Sequence, residues 1–399
     1  MSSIARAPEP ARASFLNDPR VRGIAYQVIL VIVVVGLIWM AASNAIENLR
    51  AAKIASGFGF LESTSGFDIS QTLIPYSASS TYGRAFVVGL LNTLLVAAIG
   101  IVLATLLGFV IGVARLSSNW IVARAATVYV EVVRNLPLLL QLLFWYIAVL
   151  RSLPDPRNSV AVGGSVFLNN RGLYIPKPLF ADDVWIVLAA LGIGVAAAIV
   201  YAIQAHRKQA STGQQSPVIR ATLGFVLGLP LLAWAVLALV AVNPISFDFP
   251  IKGTFNLRGG LQVFPELVAL TLGLTIYTAA FIAEIVRAGI LAVSRGQTEA
   301  AYALGLAPGQ TLRLVVIPQA MRVIIPPLTS QYLNLTKNSS LAVVIGYPDL
   351  VQVFMGTVLN QTGQAIECVA ITMAVYLTIS IATASFMNWY NARKALVER

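Results

Sequence analysis

Long apolar runs recur along the chain at about 24–42, 86–114, 124–150, 184–203, 220–242, 264–290, 323–346 and 367–388. Each is close to the roughly 20 residues that a membrane-spanning α-helix needs. The runs are continuous and do not alternate over segments of about 10 residues, as the strands of a membrane barrel do. The pattern predicts an all-α integral membrane protein with about eight transmembrane helices. Segments 43–83, 151–183 and 243–260 are rich in Ser, Pro, Asn and Gly, and read as loops on the face opposite the N-terminus. Residues 1–22 are polar, with Arg6, Arg12, Arg20 and Arg22, and read as a flexible tail. The first run has the basic flank of a signal peptide, but it exceeds the 7–15 apolar residues of such a core. An uncleaved anchor is expected.

Composition supports this reading. Hydrophobic residues make up 58% and charged residues 11%, against about 25% charged in a soluble domain. The net charge of +11 sits mainly in loops, where Lys and Arg set orientation and meet anionic lipid. No basic helix or aromatic–basic patch points to nucleic acid. With the N-terminus inside, basic residues such as Arg115, Arg124, Arg207, Lys208, Arg220, Arg295, Arg313 and Arg322 fall in the inner segments. They outnumber those of the longer outer loops, so the bias puts both termini in the cytoplasm. One cysteine, Cys368, excludes a disulfide within the chain, and one histidine, His206, leaves no zinc ligand set. No phosphate-binding loop of the Gly-x4-Gly-Lys-Ser/Thr type occurs, and no nucleophile–histidine pairing is available. The chain reads as a non-enzyme with no cofactor of its own. Energy must then come from a partner or from an ion gradient.

After the sixth apolar run comes a polar interruption, residues 299–318, which charge alone places in the cytoplasm. Thr298 can cap a helix, with Glu299 in its first turn, where the helix dipole favours a carboxylate. Ala300, Ala301, Ala303 and Leu304 are good helix formers. Gly305 is the residue expected just past a helix end. Pro308 suits the first turn of a second helix, which runs to Pro318 at the membrane. Small alanines let such a helix seat in a groove of another protein. The bland alternative is an ordinary interhelix loop.

Ionisable groups at membrane depth are costly, and by default they suggest function. Glu131 and Arg134, and Glu284 and Arg287, stand three apart, so each pair can meet on one helix face. Pro137 lies inside the third run, where it frees a carbonyl four residues earlier and can bend the helix. Gln141 follows one turn on. In the seventh run Asn334, Lys337, Asn338, Ser339 and Ser340 form the most polar intramembrane cluster. Lys337 can attract a carboxylate, and Glu131 or Glu284 an ammonium, which together are what an amino acid in transit needs. The other reading is mutual neutralisation of the charged pairs and interhelical hydrogen bonding by Asn and Ser.

The spacing of Glu299, Ala300, Ala301, Gly305, Val315, Ile317 and Pro318 resembles the EAA loop of ABC-importer permeases. Asn92-Thr93, residues 131–141, residues 284–289 and residues 337–346 resemble the polar amino-acid uptake branch of that type I family. The first span and the stretch 151–260 resemble the larger, general L-amino-acid permeases. Asn135-Leu136 before Pro137 and Asn338 after Lys337 depart from the commoner pattern, which has Gly-Thr and an acidic residue there. The resemblance covers about 84–150 and 261–392. It implies a permease domain over 84–392 with a five-helix core, interrupted by a two-helix insert at about 151–260. Residues 1–83 would hold the tail, first span and periplasmic loop, and 393–399 a cytoplasmic tail.

The same resemblance implies a bacterial inner-membrane importer of L-amino acids. Its coupling helix would comprise Glu299, Ala300, Ala301, Gly305, Leu306 and Pro308. ATPase subunits holding ATP and Mg would dock there. A second permease subunit, self or paralogue, and a periplasmic binding protein would complete the assembly. Glu131, Arg134, Asn135, Gln141, Glu284, Arg287, Asn334, Lys337, Asn338 and Ser339 are the candidate pathway residues. The alternatives from other classes are an ion-coupled secondary transporter and a membrane scaffold.

Overall fold

The computed structural model describes residues 19–51, 57–214, 216–240, 243–253 and 256–394. Most of the N-terminal tail and the extreme C-terminal residues therefore lie outside the described residues. Among those described, seven helices are long and apolar enough to cross a membrane. They include α1 (Pro19–Ala51) and α2 (Tyr82–Ala114). A broken pair, α3 (Trp120–Asn135) and α4 (Leu138–Leu150), bent by 106°, makes an eighth when its two halves are counted as one span. Then come α5 (Val184–Thr212), α6 (Val218–Leu239) and α7 (Pro265–Leu291). The short polar α8 (Arg295–Ala303) leads into α9 (Pro308–Ile345). A short helix α10 over 350–362 precedes α11 (Ala365–Lys394).

The third span breaks where proline chemistry requires it. Leu136, before Pro137, is extended at φ −97°, ψ 132°, because the proline ring disfavours a helical residue ahead of it. Pro137 cannot donate to the carbonyl of Val133. Gln141 replaces that bond, its Nε2 donating to Val133 O at 2.9 Å and to Leu136 O at 3.0 Å.

The core is built where backbones come closest. Gly100, Ala104, Gly108 and Gly112 are spaced four apart on α2 and lie buried against other helices. A Cβ added at Gly108 would stand 2.6 Å from Ile282, and one at Gly112 would stand 2.7 Å from the carbonyl oxygen of Ala283. Small residues at this spacing let two membrane helices pack backbone to backbone. Ile324 and Leu328 of α9 and Leu142 of α4 complete this core around α7. A second apolar cluster joins Phe60 and Tyr82 to Phe354, Val358 and Cys368. By contrast, the apolar window of α1, Arg22–Ala41, buries nothing against the rest of the chain.

Two of the segments read as loops hold strands. β1 (Val160–Val162), β2 (Val166–Asn169), β3 (Gly172–Ile175) and β8 (Leu261–Val263) form an antiparallel sheet in that order. β4 (Lys177–Phe180) pairs with β5 (Ile245–Asp248), and β6 (Ile251–Lys252) with β7 (Leu257–Arg258). The strands have two to four residues, too short for a period-two pattern to emerge, and β3–β8 and β4–β5 pair across the whole α5–α6 stretch. The β4–β5 ribbon holds the two ends of that helical hairpin together. α5 and α6 pack on each other through Gly194, whose absent Cβ would stand 2.3 Å from the carbonyl oxygen of Phe225.

Candidate functional site

The polar interruption forms a helix, a glycine turn and a second helix. α8 begins at Arg295 with Ser294 ahead of it in extended conformation. Thr298 is therefore inside the helix and does not cap it, and Glu299 lies mid-helix and exposed. Gly305 takes φ +76°, a left-handed conformation that glycine adopts without steric cost. The turn closes by Leu304 N–H donating to Ala300 O and Leu306 N–H donating to Ala301 O, both 3.1 Å. Pro308 opens α9, and Gln310 accepts from Ala307 N–H at 3.0 Å. The helix does not end at Pro318: it passes through a π-helical turn at Leu312–Val316 and continues as a regular helix from Ile317 to Asn338. Ala301 alone in α8 is buried, whereas Leu304 is 81% exposed and Tyr302 49%. Ala300 and Pro308 are exposed and Leu306 is half-buried. The element thus presents an apolar tip and an acidic side chain to its surroundings.

Glu284 lies on the last turns of α7, near the start of this element. It forms the expected pair with Arg287, at 2.6 Å, and also binds Arg115 from the end of α2. The Arg115 side chain is only 8% exposed. Sequence reasoning missed it, since it stands 169 residues from its partner and reads as an inner-loop charge. The Glu131–Arg134 pair does not form. Arg134 instead lies over the Phe281 ring, 5.2 Å from its centroid, and Asn135 donates to the Glu131 carbonyl. Glu131 is exposed, and Gln141 is buried and committed to the α3–α4 break.

Lys337 lines a groove of about 430 Å³ with Ser340, Val351, Thr372, Met373, Tyr376, Leu377 and Ser380. No carboxylate lines it, and neither Glu131 nor Glu284 meets Lys337, so the combination of opposite charges is not assembled within one chain. Asn334 is exposed and Asn338 half-buried on the same helix. Ser339 is buried and donates to Thr336 O at 2.7 Å. Behind the groove, Asp349 is fully buried. It accepts from Gln352 N–H at 2.8 Å and from Tyr376 OH at 3.4 Å. Burial pushes its carboxyl up to about 7, against the lowering pull of those hydrogen bonds. Asn92 and Thr93 hold this segment to α2. Asn92 Nδ2 donates to Pro348 O at 2.8 Å, and Leu350 N–H donates to Thr93 Oγ1 at 3.0 Å.

The sequence profile of binding-protein-dependent transport system inner membrane components matches residues 213–396. The general L-amino acid transport system permease protein AapQ of Rhizobium johnstonii is 54% identical over 97% of this chain and 95% of its own length. The chain belongs to the amino-acid ABC transporter permeases. The putative amino-acid ABC transporter permease YhdX of Escherichia coli K12 is 53% identical over 97% of each chain. The glutamate/glutamine/aspartate/asparagine transport system permease BztB of Rhodobacter capsulatus is 44% identical over 99% of this chain and all of its own. A crystal structure of an amino acid ABC transporter with histidines aligns over 78% of this chain and 95% of its own, at 21% identity and a TM-score of 0.47. The assignment rests on the full-length relatives. This permease is a multi-pass inner-membrane protein.

Proposed function

We propose that this permease carries L-amino acids inward across the inner membrane on energy from cytoplasmic ATPases docked at residues 299–308. In this reading both termini are cytoplasmic, and ATP and Mg are held by the ATPase subunits. A second permease subunit completes the pathway, and a periplasmic binding protein delivers substrate. The relatives named for general L-amino acid transport and for acidic amino acids and their amides support this substrate class. Lys337, Asn334 and Asn338 are the pathway residues we favour, because they line or flank an open groove. Glu284, Arg287 and Gln141 brace the helices.

The observation that carries the reading is the solvent-exposed α8 with its glycine turn. The element buries almost nothing of itself, yet its backbone is closed by specific hydrogen bonds. A short helix held rigid and left uncovered suits a lever seated in another protein. Gly305→Pro tests this, since proline fixes φ near −65° where the turn needs +76°. Glu299→Lys tests it by charge. Both variants should insert and assemble, yet lose substrate-stimulated ATP hydrolysis and uptake by about tenfold or more, within the usual range of coupling energies. Normal stimulation in both would refute the coupling role.

A further inference from the structure

Between the α5–α6 hairpin and the base of α9 lies a cleft of about 520 Å³ lined by Ser216, Pro217, Val218, Ile219, Arg220 and Arg313. Arg220 and Arg313 come from elements far apart in sequence. Both are exposed and neither forms an ion pair among the described residues. No carboxylate lines the cleft. Two guanidinium groups on one cleft repel unless an anion sits between them. The first residues of the 22-residue α6 line the same cleft and bring the positive end of a helix dipole to it.

The cleft also stands where a span meets the membrane boundary, at the start of α6 and in the first turns of α9. Its flanks are apolar, with Ile219 70% exposed, Leu314 57% and Leu312 45%. A free inorganic anion has no use for such flanks, whereas a lipid does. The hairpin packs chiefly on itself, so acyl chains have room between it and the core. Basic pockets between membrane helices on the cytoplasmic side are the usual seats of acidic headgroups.

We infer that this cleft holds the phosphate of an anionic phospholipid between Arg220 and Arg313, so that one lipid bridges the α5–α6 hairpin and the arm that carries the coupling element. The inference rests on the cytoplasmic orientation proposed above. The assembled transporter, with its ATPase subunits, is placed in nanodiscs of phosphatidylcholine with a minor fraction of phosphatidylglycerol, and retained lipid is measured by native mass spectrometry without ATP. Retention of phosphatidylglycerol over phosphatidylcholine should weaken about fivefold for each of Arg220→Gln and Arg313→Gln, and Arg→Lys should keep most of it. Equal retention by wild type and the double variant would overturn the inference. So would displacement of the lipid by millimolar inorganic phosphate with the same arginine dependence, which would mark a free-anion site. Loss of ATPase attachment in Arg313→Gln irrespective of lipid would assign Arg313 to a protein contact instead. Because retention is read without nucleotide, its failure is separate from failure of the coupling reading. The orientation itself is checked by thiol labelling of Ser216→Cys from one side of sealed vesicles.

Discussion

At the scale of single residues, Glu284 shows what a one-dimensional pattern can and cannot give. Its spacing to Arg287 was enough to expect their contact, since three residues apart on a helix is a contact distance. The same rule also licensed Glu131 and Arg134, where Arg134 turns to Phe281 instead. Spacing permits a pair; the competing aromatic face on a neighbouring helix decides it. The third member of the Glu284 cluster, Arg115, was illegible because only the folded α2–α7 contact brings it there. Its burial makes the cluster mainly structural. Glu284→Gln leaves Arg115 buried without its counter-charge, a change that typically costs about 3 kcal/mol. A clear fall in the unfolding temperature of the purified protein should follow, partly restored by adding Arg115→Gln. Unchanged unfolding in Glu284→Gln would remove the cluster from the account.

At the scale of elements, the break at Pro137 and the turn at Gly305 were both legible, because proline and glycine act through the local backbone. The short strands were not, because each depends on a partner dozens of residues away. The tight α2–α7 packing had a signal that went unused: small residues at 100, 104, 108 and 112, four apart in an apolar run. This predicts how the two helices respond to added volume. Gly112→Leu forces a side chain into the Ala283 backbone and Val286, and overpacking of this kind costs about 1–3 kcal/mol. Gly192→Leu on α5 meets nothing within 4 Å and should leave thermal unfolding as it was. Equal effects of the two substitutions would contradict the packing described for α2 and α7.

At the scale of the whole molecule, the parts divide by task. The α2–α7–α9 core is dense and small-residued. The α5–α6 hairpin and its strands stand to one side of it, and no residue of the apolar window of α1 is buried. The large apolar surface left open suits contact with lipid. Apolar runs made the spans legible from sequence, and Gly305 and Pro308 made the polar element legible, although that element starts at Ser294 and not at Thr298. The pathway was less so, because Lys337 and the acidic groups do not converge within a single chain. That is expected if the pathway closes only between two subunits.

The central claim is that transport is powered through residues 299–308 by a separate ATPase. The direct measurement is amino-acid uptake into proteoliposomes holding the permease complex, with and without the ATPase subunits, in the presence of binding protein and ATP. Uptake is expected only when the ATPase is present and ATP is supplied. Uptake by the permease alone, driven by an imposed proton or sodium gradient, would contradict it.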